Sequence, residues 1–512
     1  MVSAHPCGGG AGAARGGTTL TLTVAGALEN ALAPDALRSI DSGTLTAFLR
    51  ERRWFGEKSQ QSFTARIVDV IPIPGDAQRW AVARVEVTLE DRSVASYQLA
   101  LSVRESEMSR VHAPAAVLAL VESAVVNGLL FDAIDDPAFR ARVARALSRG
   151  EGFAGDGASL VSERVGNGSP RLSGASRVVG GEQSNSSIIF GEDAIFKLFR
   201  RLEAGESPDV EITRYLTAHT SFRNTPELYA VLVFVHDGER AVAGMLSRFI
   251  PGAMDGWAHA LARARAYAHG EGELRNDPFA PESQRLGEVT AELHRALSTP
   301  TDDPAFAPRD ATAADVARWA GATRKSVEQG FALLERLAPR LDDRSRPLAL
   351  SVVGRRIDAF EQLDSIVHTL GGPSAAGMLS RHHGDYHLGQ VLRTDDDWMI
   401  IDFEGEPTRP LAERRALSSP ARDVAGMLRS FAYAAATAAA HDDADRDRAA
   451  HWEAMARDAF LRGYGDTRAA PLIALFELEK LFYELAYELN NRPLWVWIPL
   501  LGIQTMLAPG AR

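Results

Sequence analysis

The chain has 512 residues, 46% of them hydrophobic and 24% charged, with a net charge of −11. That length predicts about three domains, and the composition excludes bulk disorder. The acidic balance argues against a nucleic-acid-binding body, and the one cysteine, Cys7, excludes an internal disulfide and points to a reducing, cytoplasmic setting.

No run of about 18 apolar residues occurs, so no membrane-spanning helix is expected. The first twenty residues lack an apolar stretch behind a basic start and make a poor signal peptide. They are glycine-rich, and residues 1–34 read as a flexible tail. Over residues 35–50 the spacing of Leu37, Ile40, Leu45 and Leu49 predicts a short helix. The period then changes to two. Strands are expected around Ile67 to Ile73, Trp80 to Leu89 and Tyr97 to Leu101, punctuated by Pro72, Pro74, Gly75 and Asp91. Residues 35–105 thus form a small helix-plus-sheet module.

Residues 106–252 read as β-rich. A helical or mixed stretch over 114–149 leads to strands at 177–179, 187–190 and 194–199. A helix from Pro208 and two strands within 227–249 follow. Residues 253–512 read as mainly helical, with helices over 283–297, 312–337, 346–370, 420–440, 452–463 and 472–490. Short extended runs over 379–403 interrupt them, and the charged run 441–448 reads as a solvated helix end or loop. The order predicts an α+β chain with the two-lobe plan of a kinase, a cleft between the lobes and a hinge over 248–256, where Pro251 and Gly252 interrupt the strand signal.

Only four residues are lysine, Lys58, Lys197, Lys325 and Lys480; the other basic residues are arginine. A lysine in such a chain marks a place where a compact point charge and a planar fork are not equivalent.

The most informative segment is His383-Gly384-Asp385-Tyr386-His387-Leu388-Gly389-Gln390, followed twelve residues after Gln390 by Asp402-Phe403-Glu404-Gly405-Glu406-Pro407. Asp385 and Gln390 have the offset of the Asp and Asn of a kinase catalytic loop, and Asp402-Phe403 is placed like the metal-binding Asp that follows it. Phosphoryl transfer from ATP needs a carboxylate at the acceptor hydroxyl and hard oxygens that hold Mg²⁺ against the phosphates. Asp385 suits the first role, and Gln390 and Asp402 the second. Glu404 is a further metal ligand or substrate contact. Val391-Leu392 and Met399-Ile400-Ile401 read as a hairpin that returns Gln390 and Asp402 to one end. The bland alternative is an acidic surface hairpin with a buried stem. His383 and Asp423 are expected to brace the loop, with Asp423 opening a helix behind Ser419-Pro420.

Lys197 lies mid-strand in Ile195-Phe196-Lys197-Leu198-Phe199, where a cation facing the α/β-phosphates is needed. Glu211, on the next helix, is its expected partner. The bland alternative is a lysine snorkelling from an edge strand. Upstream, Gly180 to Ser187 joins two strands, and Ser184, Asn185, Ser186 and Ser187 are candidates for cradling phosphates.

The catalytic segment, with Glu182-Gln183-Ser184-Asn185-Ser186-Ser187, Lys197-Leu198-Phe199-Arg200-Arg201-Leu202-Glu203, Ser419 to Phe431 and Tyr487-Glu488-Leu489-Asn490-Asn491-Arg492-Pro493, closely resembles the bacterial maltokinases. These are relatives of the aminoglycoside phosphotransferases that also occur fused to trehalose synthase. Arg53-Trp54-Phe55-Gly56 resembles the start of that family's cap. The resemblance covers about residues 40 to 505. It implies a cap, an intermediate nucleotide-binding subdomain and a helical C-lobe. It implies transfer of the ATP γ-phosphate to the anomeric hydroxyl of maltose with Mg²⁺, Asp385 in the catalytic position, Lys197 on phosphate, and Gln390 and Asp402 on metal. His387, Glu406, Arg492 and Trp495 are candidate sugar contacts, and a trehalose synthase is a possible partner. After Asn491-Arg492-Pro493 the family carries charged residues where this chain has Leu494-Trp495-Val496-Trp497, so glucosamine stays open as the acceptor. A non-catalytic kinase-like module regulating a glucan enzyme is the alternative of another class; the joint presence of Lys197, Asp385, Gln390 and Asp402 argues against it.

Overall fold

The computed structural model describes residues 20–58, 60–76, 78–106, 116–166, 168–172, 175–180, 185–270, 279–407, 409–440, 444–465 and 469–508. They divide into two compact units. One comprises residues up to His219 together with Pro226–Pro251, and the other Thr220–Thr225 together with Gly252 onward. Among the described residues no helix is long and apolar enough to cross a membrane.

The first unit is built on two seven-stranded sheets. In the N-terminal sheet Phe63–Pro74, Arg79–Leu89 and Val94–Glu105 pair antiparallel, and alternate residues such as Phe63, Ala65 and Ile67 are buried. A register shift between Ile67 and Asp69 carries the alternation on to Val70 and Ile71. The helix Ser42–Glu51, capped by Asp41 accepting from Thr44 N, lays Leu45, Phe48 and Leu49 on this core.

Two sequence expectations fail here. The supposed tail 1–34 lies partly outside the described residues, but from Thr21 onward it is structured. Thr21–Val24 pairs parallel with Val117–Ser123, and Leu22, Leu28, Ala31 and Leu32 are buried in the core. The module does not end at residue 105 either, because Val117–Ser123 and Asn127–Asp132 complete the same sheet. A four-residue strand beside a glycine-rich start has too few residues to show a period, and its partner is about a hundred residues away.

The second sheet runs Phe153–Ala154, Ala158–Arg164, Leu228–His236, Glu239–Arg248, Ala194–Phe199, Asn185–Phe190, Ser176–Val178, all antiparallel. One face shares a core with Ile71, Trp80 and Val82 of the first sheet and with Phe139, Val143 and Leu147 of the helix Pro137–Arg149. The other face packs Phe199, Val231 and Met245 against Val210 of the helix Pro208–His219.

The second unit is helical. The expected helix over 312–337 is Ala313–Leu337, opened by a capping box between Thr312 and Asp315. The stretch over 346–370 is two helices, Ser345–Val353 and Arg356–Leu370, parted at Gly354. The expected helix over 35–50 is likewise two, Pro34–Arg38 and Ser42–Glu51. Of the charged run, 441–443 lie outside the described residues; Asp445 caps Arg446–Tyr464, so the helix starts earlier than read. The expected hairpin forms from Val391–Arg393 and Trp398–Ile400, with Val391 opposite Ile400.

Candidate active site

The loop 380–387 runs between the short strand Met378–Leu379 and the helical turn Leu388–Gln390. Its conformation is over-determined by buried groups. Asp423, in the first turn of Ala421–Ala438, accepts from His383 N at 2.7 Å and from Gly384 N at 2.9 Å, while His294 Nε2 stands 3.0 Å from its Oδ2. Burial would raise the Asp423 carboxyl, but the His294 bond and the neighbouring His382 and His383 hold it well below the usual carboxylate range. His383 is buried, with Nε2 2.8 Å from Ile401 O and its ring against Phe403. Both residues brace the loop as the sequence suggested. Gly426 on the same helix is required by close approach, since a Cβ there would stand 2.5 Å from Tyr386 O.

Asp385 projects from this loop into a cavity of about 490 Å³ within the helical unit. Lys480, from the helix Ala470–Asn491, donates to Asp385 Oδ1 at 3.2 Å. Glu406 lines the same cavity, with Oε2 accepting from Arg409 Nε at 2.7 Å and Oε1 lacking a hydrogen-bond partner. Arg409 and Arg422 both reach Glu479. Burial alone would raise the Asp385 carboxyl; the Lys480 ammonium, with smaller help from His387 and His383, brings it below its ordinary value.

Gln390 and Asp402 are brought together at the open end of the hairpin. With its amide turned to satisfy its neighbours, Gln390 Nε2 lies 3.2 Å from Asp402 Oδ2, and Ile401 N donates to Gln390 O. Asp402 has φ of 63°, a left-handed conformation that a non-glycine residue keeps only where its surroundings impose it. Among the described residues no group of three or more His, Cys, Asp or Glu stands ready to hold a metal. An aspartate and an amide are nevertheless a fitting protein share for Mg²⁺, which takes one or two protein oxygens and completes its shell with phosphate and water. Glu404 follows at once, its backbone carbonyl accepting from Arg414 Nη1.

In the β-rich unit Lys197 stands opposite Ser187, and its Nζ donates to Asp209 Oδ2 at 3.1 Å. Asp209, buried in the first turn of the same helix as the expected partner Glu211, is thus a partner of Lys197 that the sequence reading did not name. Ser184 lies outside the described residues. Asn185, Ser186 and Ser187 form a buried strand start rather than a loop. Asn185 and Ser187 share the face of Lys197; Ser186 points the other way and accepts from Arg200 Nε at 2.8 Å, which corrects its reading as a phosphate contact.

Three candidate sugar contacts are also displaced. His387 accepts from Gly389 N through Nδ1 and lies 3.9 Å from Asp385, outside the cavity lining; burial pushes it down to about 3. Arg492 is paired with Glu488 and lies over Trp495, and neither lines the cavity. They follow Lys480 by about twelve residues of helix, some 18 Å along the axis. Lys480, Arg409, Arg422 and Glu479 were not found from sequence; for Lys480 the scarcity of lysine was the available signal.

A model of the maltokinase N-terminal cap domain matches residues 48–136. A glucosamine kinase of Mycolicibacterium smegmatis is 30% identical over 358 residues, covering 66% of this chain and 83% of that protein. The chain belongs to the maltokinase-like family of capped sugar kinases. A glucosamine kinase of Streptacidiphilus jiangxiensis is 29% identical over 346 residues, covering 64% of this chain and 72% of the other. In fold, this kinase is similar to a solved glucosamine kinase in complex with glucosamine, ADP and inorganic phosphate, with a TM-score of 0.60 at 24% identity, covering 92% of this chain and 98% of that one. The kinase is a phosphotransferase that acts on a sugar hydroxyl.

Proposed function

We propose that this kinase transfers the γ-phosphate of ATP to the anomeric hydroxyl of maltose, giving maltose 1-phosphate. The observation that carries the reading is the Asp385 carboxylate, half-buried in a cavity and held by Lys480. Asp385 orients the acceptor hydroxyl and takes its proton. The sugar oxygen bonds to phosphorus as the bond to ADP breaks, and ADP leaves with that electron pair. Lys197 supports the reading from the nucleotide side, as a point charge for the phosphates held in place by Asp209. Gln390 and Asp402 would hold Mg²⁺, which offsets phosphate charge when bound. Glu404 is a further candidate beside them.

For the acceptor, charge balance in the cavity favours a neutral sugar. Asp385 is offset by Lys480, Glu406 by Arg409, and Glu479 by Arg409 and Arg422. An ammonium placed there would meet carboxylates already compensated, whereas the buried Glu406 Oε1, which has no hydrogen-bond partner among the described residues, is an unmet acceptor suited to a hydroxyl donor. Glucosamine is the second reading, favoured by the activity named for the two relatives. A trehalose synthase partner and a cytoplasmic setting belong with the maltose reading. An ADP-release assay over maltose, glucosamine, glucose and trehalose tests both. Turnover with maltose at least tenfold above glucosamine is expected; the reverse order replaces the first reading by the second, and no sugar-dependent release removes both.

A further inference from the structure

Lys480 is one of only four lysines in a chain whose other basic residues are arginine, and it stands half-buried on the helix Ala470–Asn491. Its Nζ is 3.2 Å from Asp385 Oδ1, 3.8 Å from Glu406 Oε1 and 5.0 Å from the centre of the Tyr483 ring. Among the described residues the second oxygen of Asp385 accepts no hydrogen bond; His387 Nε2 stands 3.9 Å from it, beyond hydrogen-bond reach. The two carboxylate oxygens are thus unlike: one is clamped, the other is open.

We propose that Lys480 is a positioning residue for phosphoryl transfer, clamping Asp385 Oδ1 so that Oδ2 alone meets the acceptor hydroxyl and receives its proton. The inference rests on the sugar-kinase reading of Asp385. It also explains why lysine stands here. An ammonium is a compact donor that one carboxylate oxygen can satisfy. A guanidinium is a planar fork that grips both oxygens of a carboxylate and would occupy the one the sugar needs. The groups facing Asp385 are His383 and His387 of its own loop, Glu406 after the hairpin and Lys480 on the helix, with Arg409 and Glu479 farther out. Lys480 is the cation with a direct bond to it.

The test uses the full chain, MgATP and whichever sugar of the panel gives the fastest turnover, from about pH 3, or the lowest pH at which the protein stays folded, up to about pH 9. Lys480→Arg keeps the charge, so the acid limb of kcat should stay in place while kcat falls about tenfold or more, with the KM for ATP changed by less than about threefold. Lys480→Met should move the acid limb upward by about one pH unit or more, because burial then raises Asp385 against only the smaller pull of His387 and His383. Full turnover in Lys480→Arg, or an unmoved acid limb in Lys480→Met, overturns the proposal. A melting-temperature cycle with Asp385→Asn reads the clamp without activity: Lys480→Met should lower the melting temperature of the parent much more than that of Asp385→Asn. Equal losses in both backgrounds overturn it. If the parent releases no ADP with any sugar, the sugar-kinase reading fails by itself and the cycle still decides the clamp.

Discussion

A carboxylate held below its ordinary pKa by a neighbouring lysine is a weak base in the resting enzyme. In the proposed mechanism its value lies in orientation, and it accepts a proton only as phosphorus draws electron density from the attacking oxygen. Asp385→Asn keeps an oxygen for Lys480 but cannot take the proton. Turnover should fall about 10²–10⁴-fold with ATP affinity nearly unchanged, as steady-state kinetics would show. Lys197→Arg should fail on the other substrate, because a fork in a buried strand position beside Asp209 cannot sit where an ammonium does; the KM for ATP should rise about tenfold or more. His382 tests pH dependence. Burial pushes it down to about 4 from 6.5, against the opposing pull of Asp423. Its folded pKa is depressed, so the unfolded chain binds the proton first. The stability it contributes is present above pH 6.5 and is lost as pH falls toward 4. His382→Gln should therefore flatten the fall in melting temperature between pH 7 and pH 5. An unchanged slope would remove His382 as its source.

Helix elements set how closely these residues can be brought together. Phe279–Leu297 and Arg446–Tyr464 approach until backbone meets backbone: a Cβ on Gly463 would stand 1.9 Å from Gln284 O, and one on Gly287 2.1 Å from Phe460 O. His294, which supports Asp423, is on the first of these helices, and Tyr464, which bonds His294, is on the second. Gly463→Ala should cost about 3 kcal/mol in denaturant titrations, because the obstacle is backbone and cannot rotate away. Gly321→Ala is the contrasting case. Its added Cβ meets nothing within 4 Å, so that substitution should stabilise the helix Ala313–Leu337 by about 0.5–1 kcal/mol. The same scale shows what was legible in the sequence. Asp385, Gln390 and Asp402 lie within eighteen residues, and a hairpin with a readable period joins them, so spacing alone singled them out as candidates. Lys480 is 95 residues from Asp385 on a helix whose pattern is ordinary, and nothing local says which turn will face the loop. Arg492 and Trp495 look like sugar ligands by type, yet helix rise carries them away from Asp385. Ser186 failed by parity: one step along a strand reverses the face.

At the scale of the whole molecule, the N-terminal sheet is not an appendage to the second sheet, which carries Lys197. Arg201–Leu202, directly after the strand that carries Lys197, pairs with Val94–Glu105. Gln98 donates to Phe199 O at 2.6 Å and to Ala243 O at 2.7 Å, bridging into two strands of the second sheet. Arg200, fully buried, reaches Ser186 with Nε and Asp132 with Nη2 at 2.6 Å, and lies over Trp54. The sheets also share one apolar cluster, so neither has a complete core without the other. From sequence alone, residues 1–34 looked dispensable and deleting them should have left activity intact; the fold reverses that expectation. Removing residues 20–34 takes away the strand beside Val117–Ser123 and the buried Leu22, Leu28, Ala31 and Leu32. Each buried leucine is worth about 1.5–3 kcal/mol, and the total stability of a domain is only about 5–15 kcal/mol. Loss of the segment should therefore unfold the sheet and, through Arg200 and Gln98, loosen the strand that holds Lys197. Leu32→Ala gives a graded version that keeps the backbone. Its expected destabilisation is about 2–5 kcal/mol, with the KM for ATP rising before the KM for sugar as temperature approaches the melting point. A variant that lost stability while both KM values rose together would show that the N-terminal sheet supports the whole chain without favouring the nucleotide side.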